Sequence, residues 1–155
     1  MNPGFKADGV LTLQVALPRA SYPDARAASF HSALQGALEG SLGPRSTAIV
    51  NEIPLTGSGG RSLLSRRSGD VEREAVVREA TPAYFEVMGI PVLAGRSFDP
   101  HDDPSAPARC VISQSLAESL FGHEQPIGGR IWLGERAQLA EINRRRRRRE
   151  APRAG

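Results

Sequence analysis

Residues 80–98 read ATPAYFEVMGIPVLAGRSF, and this run limits the length of every element near it. Gly89, Pro91 and Gly95 fall within seven residues of one another. Proline removes a backbone donor and glycine favours turns, so neither a helix nor a central strand runs through such a stretch. The whole chain carries the same punctuation, with 16 Gly and 12 Pro in 155 residues. That density predicts many short elements joined by turns rather than a long helical bundle. The run also holds no constellation of catalytic type, which makes a mechanical role its simplest reading.

Hydrophobic periodicity places the elements. In VLTLQVALP (10–18), Leu11, Leu13, Val15 and Leu17 share one face, which predicts a half-buried strand closed by Pro18. Pro23 and Asp24 then open a helix in which Phe30, Leu34, Ala37, Leu38 and Leu42 recur at helical spacing, with Gly43 and Pro44 ending it. STAIVNEIPL (46–55) reads as a second strand, and strand, helix, strand suggests a helix packed on a sheet. TGSGGRSLLSRRSGD (56–70) reads as a loop; it lacks the Lys-Ser/Thr end of a phosphate loop. REAVVREA (73–80) is extended, and Thr81-Pro82 looks like the cap of a short helix containing Phe85 and Met88, capped by Gly89. Further on, RCVIS (109–113) reads as a buried strand and QSLAESLFG as a helix turning Leu116, Leu120 and Phe121 inward. PIGGRIWLG (126–134) is a turn into a strand with Ile131 and Leu133 on one side and Trp132 on the other, and LAEI opens a further element. The expected class is α+β: small mixed sheets with short helices packed on one face, divisible into two lobes. Residues 1–9 are expected as a flexible N-terminus, 10–143 as the domain with a flexible loop at 56–73, and 144–155 as a disordered arginine-rich tail.

Charge and composition exclude several classes. Seven of the 20 basic residues and one of the 17 acidic ones lie in 144–155, so residues 1–143 carry 13 basic and 16 acidic groups. The folded part is mildly acidic, and the formal charge of +3 belongs to the tail. The run Arg144 to Arg149 has no interleaved aromatic for base stacking, so no specific nucleic-acid partner is expected. One cysteine, Cys110, allows no internal disulfide and sits in the apolar run CVI as a small hydrophobe. No apolar stretch approaches the roughly 20 residues of a membrane span, and MNPGFKADGVLTL shows no signal-peptide core.

The candidate sites are weak. Asp99, His101, Asp102 and Asp103 stand close together in DPHDDPSAP (99–107), but their spacing matches no calcium loop and prolines restrict their convergence. A solvated turn is the expectation there. His31 and His123 have no serine or cysteine nucleophile at a recognisable spacing. No catalytic, cofactor-binding or metal-ligating residue is therefore assigned, and no enzyme is expected. An autonomous small-ligand or metal-binding module, using the 56–70 loop and the 99–107 turn, is the alternative.

The order of motifs carries more than any one of them. Tyr84-Phe85 precedes Gly89-Ile90-Pro91-Val92-Leu93 and Gly95-Arg96-Ser97-Phe98; Val111-Ile112-Ser113-Gln114 with Ala117 follows, then Phe121-Gly122 and Pro126-Ile127-Gly128. With the opening strand, Tyr-Pro, helix, strand and Pro-Leu, this series over about 10–142 resembles the MacB-like periplasmic core domain of bacterial ABC transporter permeases. The resemblance implies a non-catalytic extracytoplasmic module held between membrane helices, at the periplasmic face of the cell membrane. It would pass conformational change from a cytoplasmic ATPase outward, contacting a permease partner subunit and a periplasmic adaptor. It gives Tyr84 and Phe85 a packing role, Arg96 bonds to loop carbonyls or an aspartate, and Gly89 and Gly95 turns with positive φ. It also implies flanking membrane helices and a second half of the domain where six arginines stand, so the chain reads as a truncated fragment. An uncovered sheet edge is expected to leave it marginally stable or self-associating.

Overall fold

The computed structural model describes residues 4–6, 8–53, 60–67, 70–99, 102, 108–133 and 138–143. Among the described residues, three helices and five strands occur in the order α1 (Asp24–Leu42), β1 (Arg61–Ser65), β2 (Arg73–Val76), α2 (Tyr84–Val87), β3 (Ala108–Cys110), α3 (Gln114–Phe121), β4 (Arg130–Leu133) and β5 (Gln138–Ile142). One mixed five-stranded sheet with short helices makes the protein α+β, the class expected. The chain divides into two compact units: Met1–Gly60, Val76–Pro91 and Phe98–Pro100 in the first, Arg61–Ala75, Val92–Ser97 and His101–Gly155 in the second.

The second unit holds the sheet, whose order is β2-β1-β4-β5-β3. β4 pairs antiparallel with both β1 and β5, while β3 runs parallel to β5. The alternation read in β4 is realised: Ile131 is 2% exposed, and Leu133 packs against the same core. The core joins Phe121, Ile131, Ala140 and Ile142, with Cys110, Leu120 and Ile127 against it. α3 begins where sequence places it, because Ser113 Oγ accepts the Leu116 N–H at 3.2 Å and satisfies a donor the helix cannot. Its Phe121 and Leu120 face the core as expected. β3 is shorter and less covered than the buried strand read at 109–113.

Two of the sequence expectations fail in opposite directions. The loop expected over 56–73 holds β1, whose Leu64 and Ser65 are buried. Serine and arginine have little strand propensity, but the backbone of RSLLS finds a ladder on β4, with Leu64 opposite Leu133 and Ser65 opposite Trp132. Conversely, residues 10–18 form no strand. Their alternation is intact, yet Leu11 is 95% and Leu13 74% exposed, because the described residues offer no neighbouring ladder.

In the first unit, the strand expected at 46–55 shows, over its described residues 46–53, one bridge, Val50 to Ala80, and residues 54–55 lie outside the described residues. Asn51 N donates to Glu79 O at 3.0 Å, Thr81 N to Ile49 O at 2.9 Å, and Asn51 Oδ1 accepts from Glu79 N at 3.0 Å. Thr81 does not cap α2, as its position suggested. Its Oγ1 accepts from Ile49 N at 2.9 Å instead, and Ala83 occupies the N-cap without a side-chain bond. α1 starts one residue after Pro23 and ends at Gly43, whose N–H reaches Glu39 O at 2.9 Å. Its apolar stripe buries no residue fully, and Leu42 stays exposed, so α1 is not the covered layer that its pattern suggests.

Across the parallel pair, Arg109 stands directly opposite Glu141, and its Nη1 donates to Oε1 at 2.9 Å, both side chains mostly buried. Glu141→Ala is expected to lower unfolding stability by about 1 kcal/mol, the usual worth of a cross-strand charged pair. Urea unfolding of the variant beside Arg109→Ala and the double variant measures the coupling; additive losses would show the pair contributes nothing.

Candidate functional site

The run 80–98 falls into two separate constructions. Within the first unit, Tyr84 is buried and meets Phe85 edge to face, ring centroids 5.5 Å apart, and Phe85 tilts against Phe98 at 5.9 Å. Offset and edge contacts of this kind suit the ring quadrupoles and add to the burial of large apolar area. The hydroxyl of Tyr84 is pushed above its ordinary range by burial. Gly89 turns the chain after α2 with φ +60°, and Lys6 N donates to Met88 O at 2.8 Å beside it. A Cβ on Gly89 would stand 2.9 Å from Lys6 Cβ, so both conformation and approach select glycine.

Within the second unit, Gly95 and Arg96 form a corner. Gly95 has φ +77°, and a Cβ there would lie 2.3 Å from Asn143 O. Arg96 donates from Nη1 to Ser97 O at 2.8 Å and to Asp102 Oδ2 at 3.1 Å, and from Nη2 to Asp102 Oδ1. This two-pronged pairing is the aspartate and loop-carbonyl role expected for Arg96, and it fixes the loop geometrically. Asn143, 2% exposed, donates Nδ2 to Ser97 O at 3.4 Å. Its Oδ1 and the Ser97 hydroxyl are buried without a partner among the described residues. Nothing in the sequence marked Asn143; it stands just before the arginine run and lies outside every motif read there.

Asp102 is held by Arg96, Asp99 lies in the other unit, and His101 and Asp103 fall outside the described residues. Among the described residues no group of three or more His, Cys, Asp or Glu is placed to hold a metal. His31 packs edge to face on Phe30 at 5.8 Å, while His123 is exposed in the second unit. Residues 54–59 and 68–69 of the glycine-rich segment, and the arginine run, lie outside the described residues.

A shallow groove of about 270 Å³ in the second unit is lined by Arg66, Asp70, Val71, Arg73, Ser119 and Leu120. Its cations are already engaged. Arg66 lies over the Phe121 ring at 4.9 Å and donates Nη2 to Glu124 at 2.7 Å, which lowers the Glu124 carboxyl below its usual range. Arg73 Nε donates to Ser119 Oγ at 3.0 Å. Cys110 Sγ lies against the core, where burial, aided by Glu141, pushes its thiol up to about 12. A thiol held so far from ionisation is a packing group rather than a nucleophile. Among the described residues no helix is long and apolar enough to cross a membrane.

Comparison with known proteins agrees with the motif order. The model of the MacB-like periplasmic core domain matches residues 8–142. A probable export ATP-binding/permease protein of Pseudomonas fluorescens is 30% identical over 135 residues, covering 84% of this chain and 19% of that protein. The macrolide export ATP-binding/permease protein MacB of Neisseria gonorrhoeae is 31% identical over 88 residues, covering 57% and 13% respectively. The uncharacterised ABC transporter permease YknZ of Bacillus subtilis is 27% identical over 70 residues, covering 45% and 18%. The chain thus spans less than a fifth of the length of these relatives. No solved structure gives a significant match.

Proposed function

The chain belongs to the MacB-like periplasmic core domain family, and from that membership we propose that it is a non-catalytic extracytoplasmic domain of an ABC transporter permease. It transmits conformational change between a cytoplasmic ATPase and the outer side of the membrane, and it contacts a permease partner subunit and a periplasmic adaptor. Its boundaries as a domain are 10–143. The observation that carries this reading is the family match over 8–142, joined to the corners that the matched motifs build. Gly95 approaches a backbone carbonyl, Arg96 clamps Asp102, and Tyr84 and Phe85 stack. These are devices that hold shape. The Arg96 guanidinium in them is turned toward Ser97 O and Asp102, where a site for turnover would turn it toward a substrate.

The test uses the assembled transporter. Residues 8–142 are replaced by a flexible polar linker of equal length, and export and ATP hydrolysis are measured separately. Loss of export with basal hydrolysis retained is the expected result, because the ATPase would then work against an uncoupled exterior. Export at full rate through the linker variant would defeat the proposal.

A further inference from the structure

Among the described residues, positive φ angles fall on seven glycines and on one other residue, Arg45, at φ +59°. A left-handed backbone is disfavoured about five- to thirtyfold for an L-residue, so an arginine there must supply something that glycine cannot. Pro44 and Arg45 are the central pair of the turn that follows α1. Proline holds the first of them at negative φ, and positive φ at the second then makes the turn type II, where the second residue is ordinarily glycine. What arginine adds is its side chain. Arg45 Nε donates to Glu86 Oε2, on α2, at 2.6 Å, across 41 residues of sequence. Ser46 Oγ donates to Gly43 O at 2.6 Å across the same turn. All of these residues belong to the first unit.

We propose that Arg45 and Glu86 form a clasp between the end of α1 and α2, with the Pro44–Arg45 peptide as its moving part. While the ion pair is closed, that peptide is held in the type II orientation. When the pair opens, the same four residues relax to a type I turn by rotation of one peptide plane. Proline suits the first central position of both types, and Arg45 then regains the negative φ that any L-residue adopts. The magnitudes set the two forms close together. The pair is half exposed, its side chains 50% and 57% accessible, and such a pair shifts an equilibrium by no more than about fivefold. The strain that it opposes begins at about the same figure, roughly fivefold. Neither dominates, so a modest change around Glu86 tips the turn, and screening by salt is one such change. An open clasp releases the last turn of α1 from α2, the helix whose Tyr84 and Phe85 stack in the first unit.

The test is made by nuclear magnetic resonance on the full 155-residue chain. The Pro44 Hα and Arg45 N–H hydrogens lie close in a type II turn, where proline ψ is about +120°, and apart in type I, where it is about −30°. Their Overhauser contact is expected to be strong in the unaltered chain at low salt. Glu86→Gln, which keeps the side chain's shape, is expected to weaken it about two- to threefold. Raising salt from about 0.01 to 1 M is expected to weaken it in the unaltered chain and to leave Glu86→Gln as it is. Arg45→Gly, free of strain and of the pair, is expected to keep the strong contact at every salt concentration. Contacts between the Tyr84 and Phe85 rings, 5.5 Å apart, are expected to persist throughout, so that a lost fold is not mistaken for an open clasp. A turn contact indifferent to both Glu86→Gln and salt would show that the backbone holds the turn without the pair, and would overturn the proposal. So would a weak contact in the unaltered chain at low salt, or a salt response that survives in Arg45→Gly.

Discussion

Gly95→Ala is expected to destabilise the chain by about 3–5 kcal/mol, among the largest losses for one methyl group. Two costs combine. At φ +77° an L-residue meets its own following carbonyl, worth roughly 1–2 kcal/mol. The new Cβ would also sit 2.3 Å from Asn143 O and 3.3 Å from Ile127 Cδ1. A flexible side chain would yield to it, but this carbonyl has little room. Asn143 N donates to Cys110 O at 3.0 Å, Gly128 N to Ile142 O at 3.0 Å, and Ile142 N to Gly129 O at 2.8 Å. Moving the carbonyl therefore disturbs the end of the β3–β5 pair. Gly36, in the middle of α1, provides the control: a Cβ there would meet nothing, so Gly36→Ala should gain up to about 1 kcal/mol. Urea unfolding followed by circular dichroism measures both. A Gly95→Ala loss below about 1 kcal/mol would show that the corner relaxes freely.

Cys110 is expected to react with iodoacetamide at pH 8 about a thousandfold more slowly in the folded chain than a free thiol does. Its ordinary value of 9.0 rises to about 12, chiefly through burial and secondarily through the Glu141 carboxylate beside it. That rise cuts the thiolate fraction by the same factor at any pH below both values. It bears on stability too. Because the folded value lies above the unfolded one, the protonated thiol favours the fold, fully so below about pH 9. That contribution is lost as pH rises from about 9 toward about 12, where the unfolded chain ionises first. Full reactivity should return in denaturant. Alkylation within tenfold of a free thiol under native conditions would mean that the β3–β5 pair opens readily.

The sequence made legible those elements whose partners are local. α3 announced itself through its apolar spacing and the terminating Gly122, and β4 through alternation, because both signals live within eight residues or so. The role of Arg96 followed from resemblance, and its aspartate stood six residues away. What escaped was decided by distant pairing. β1 is a strand because β4 accepts it, in spite of a serine and arginine composition that argues for a loop. Residues 10–17 have the propensity, and the described residues offer them no acceptor. Asn143 gained its place through the corner at Gly95, nearly fifty residues earlier. Thr81 looked like a cap and serves instead as a link to Ile49. Propensity states what a segment tolerates, and pairing states what it becomes.

The position of β5 has a consequence for how such a chain is made. β5 is the last of the described strands, yet it lies between β4 and β3 in the sheet, and it supplies Ala140 and Ile142 to the core. A nascent polypeptide emerging from the ribosome therefore has nowhere to dock β3 until residues 138–142 have left the exit tunnel. Until then the apolar faces of β4 and α3 wait exposed, a window in which a chaperone or a neighbouring nascent chain competes for them.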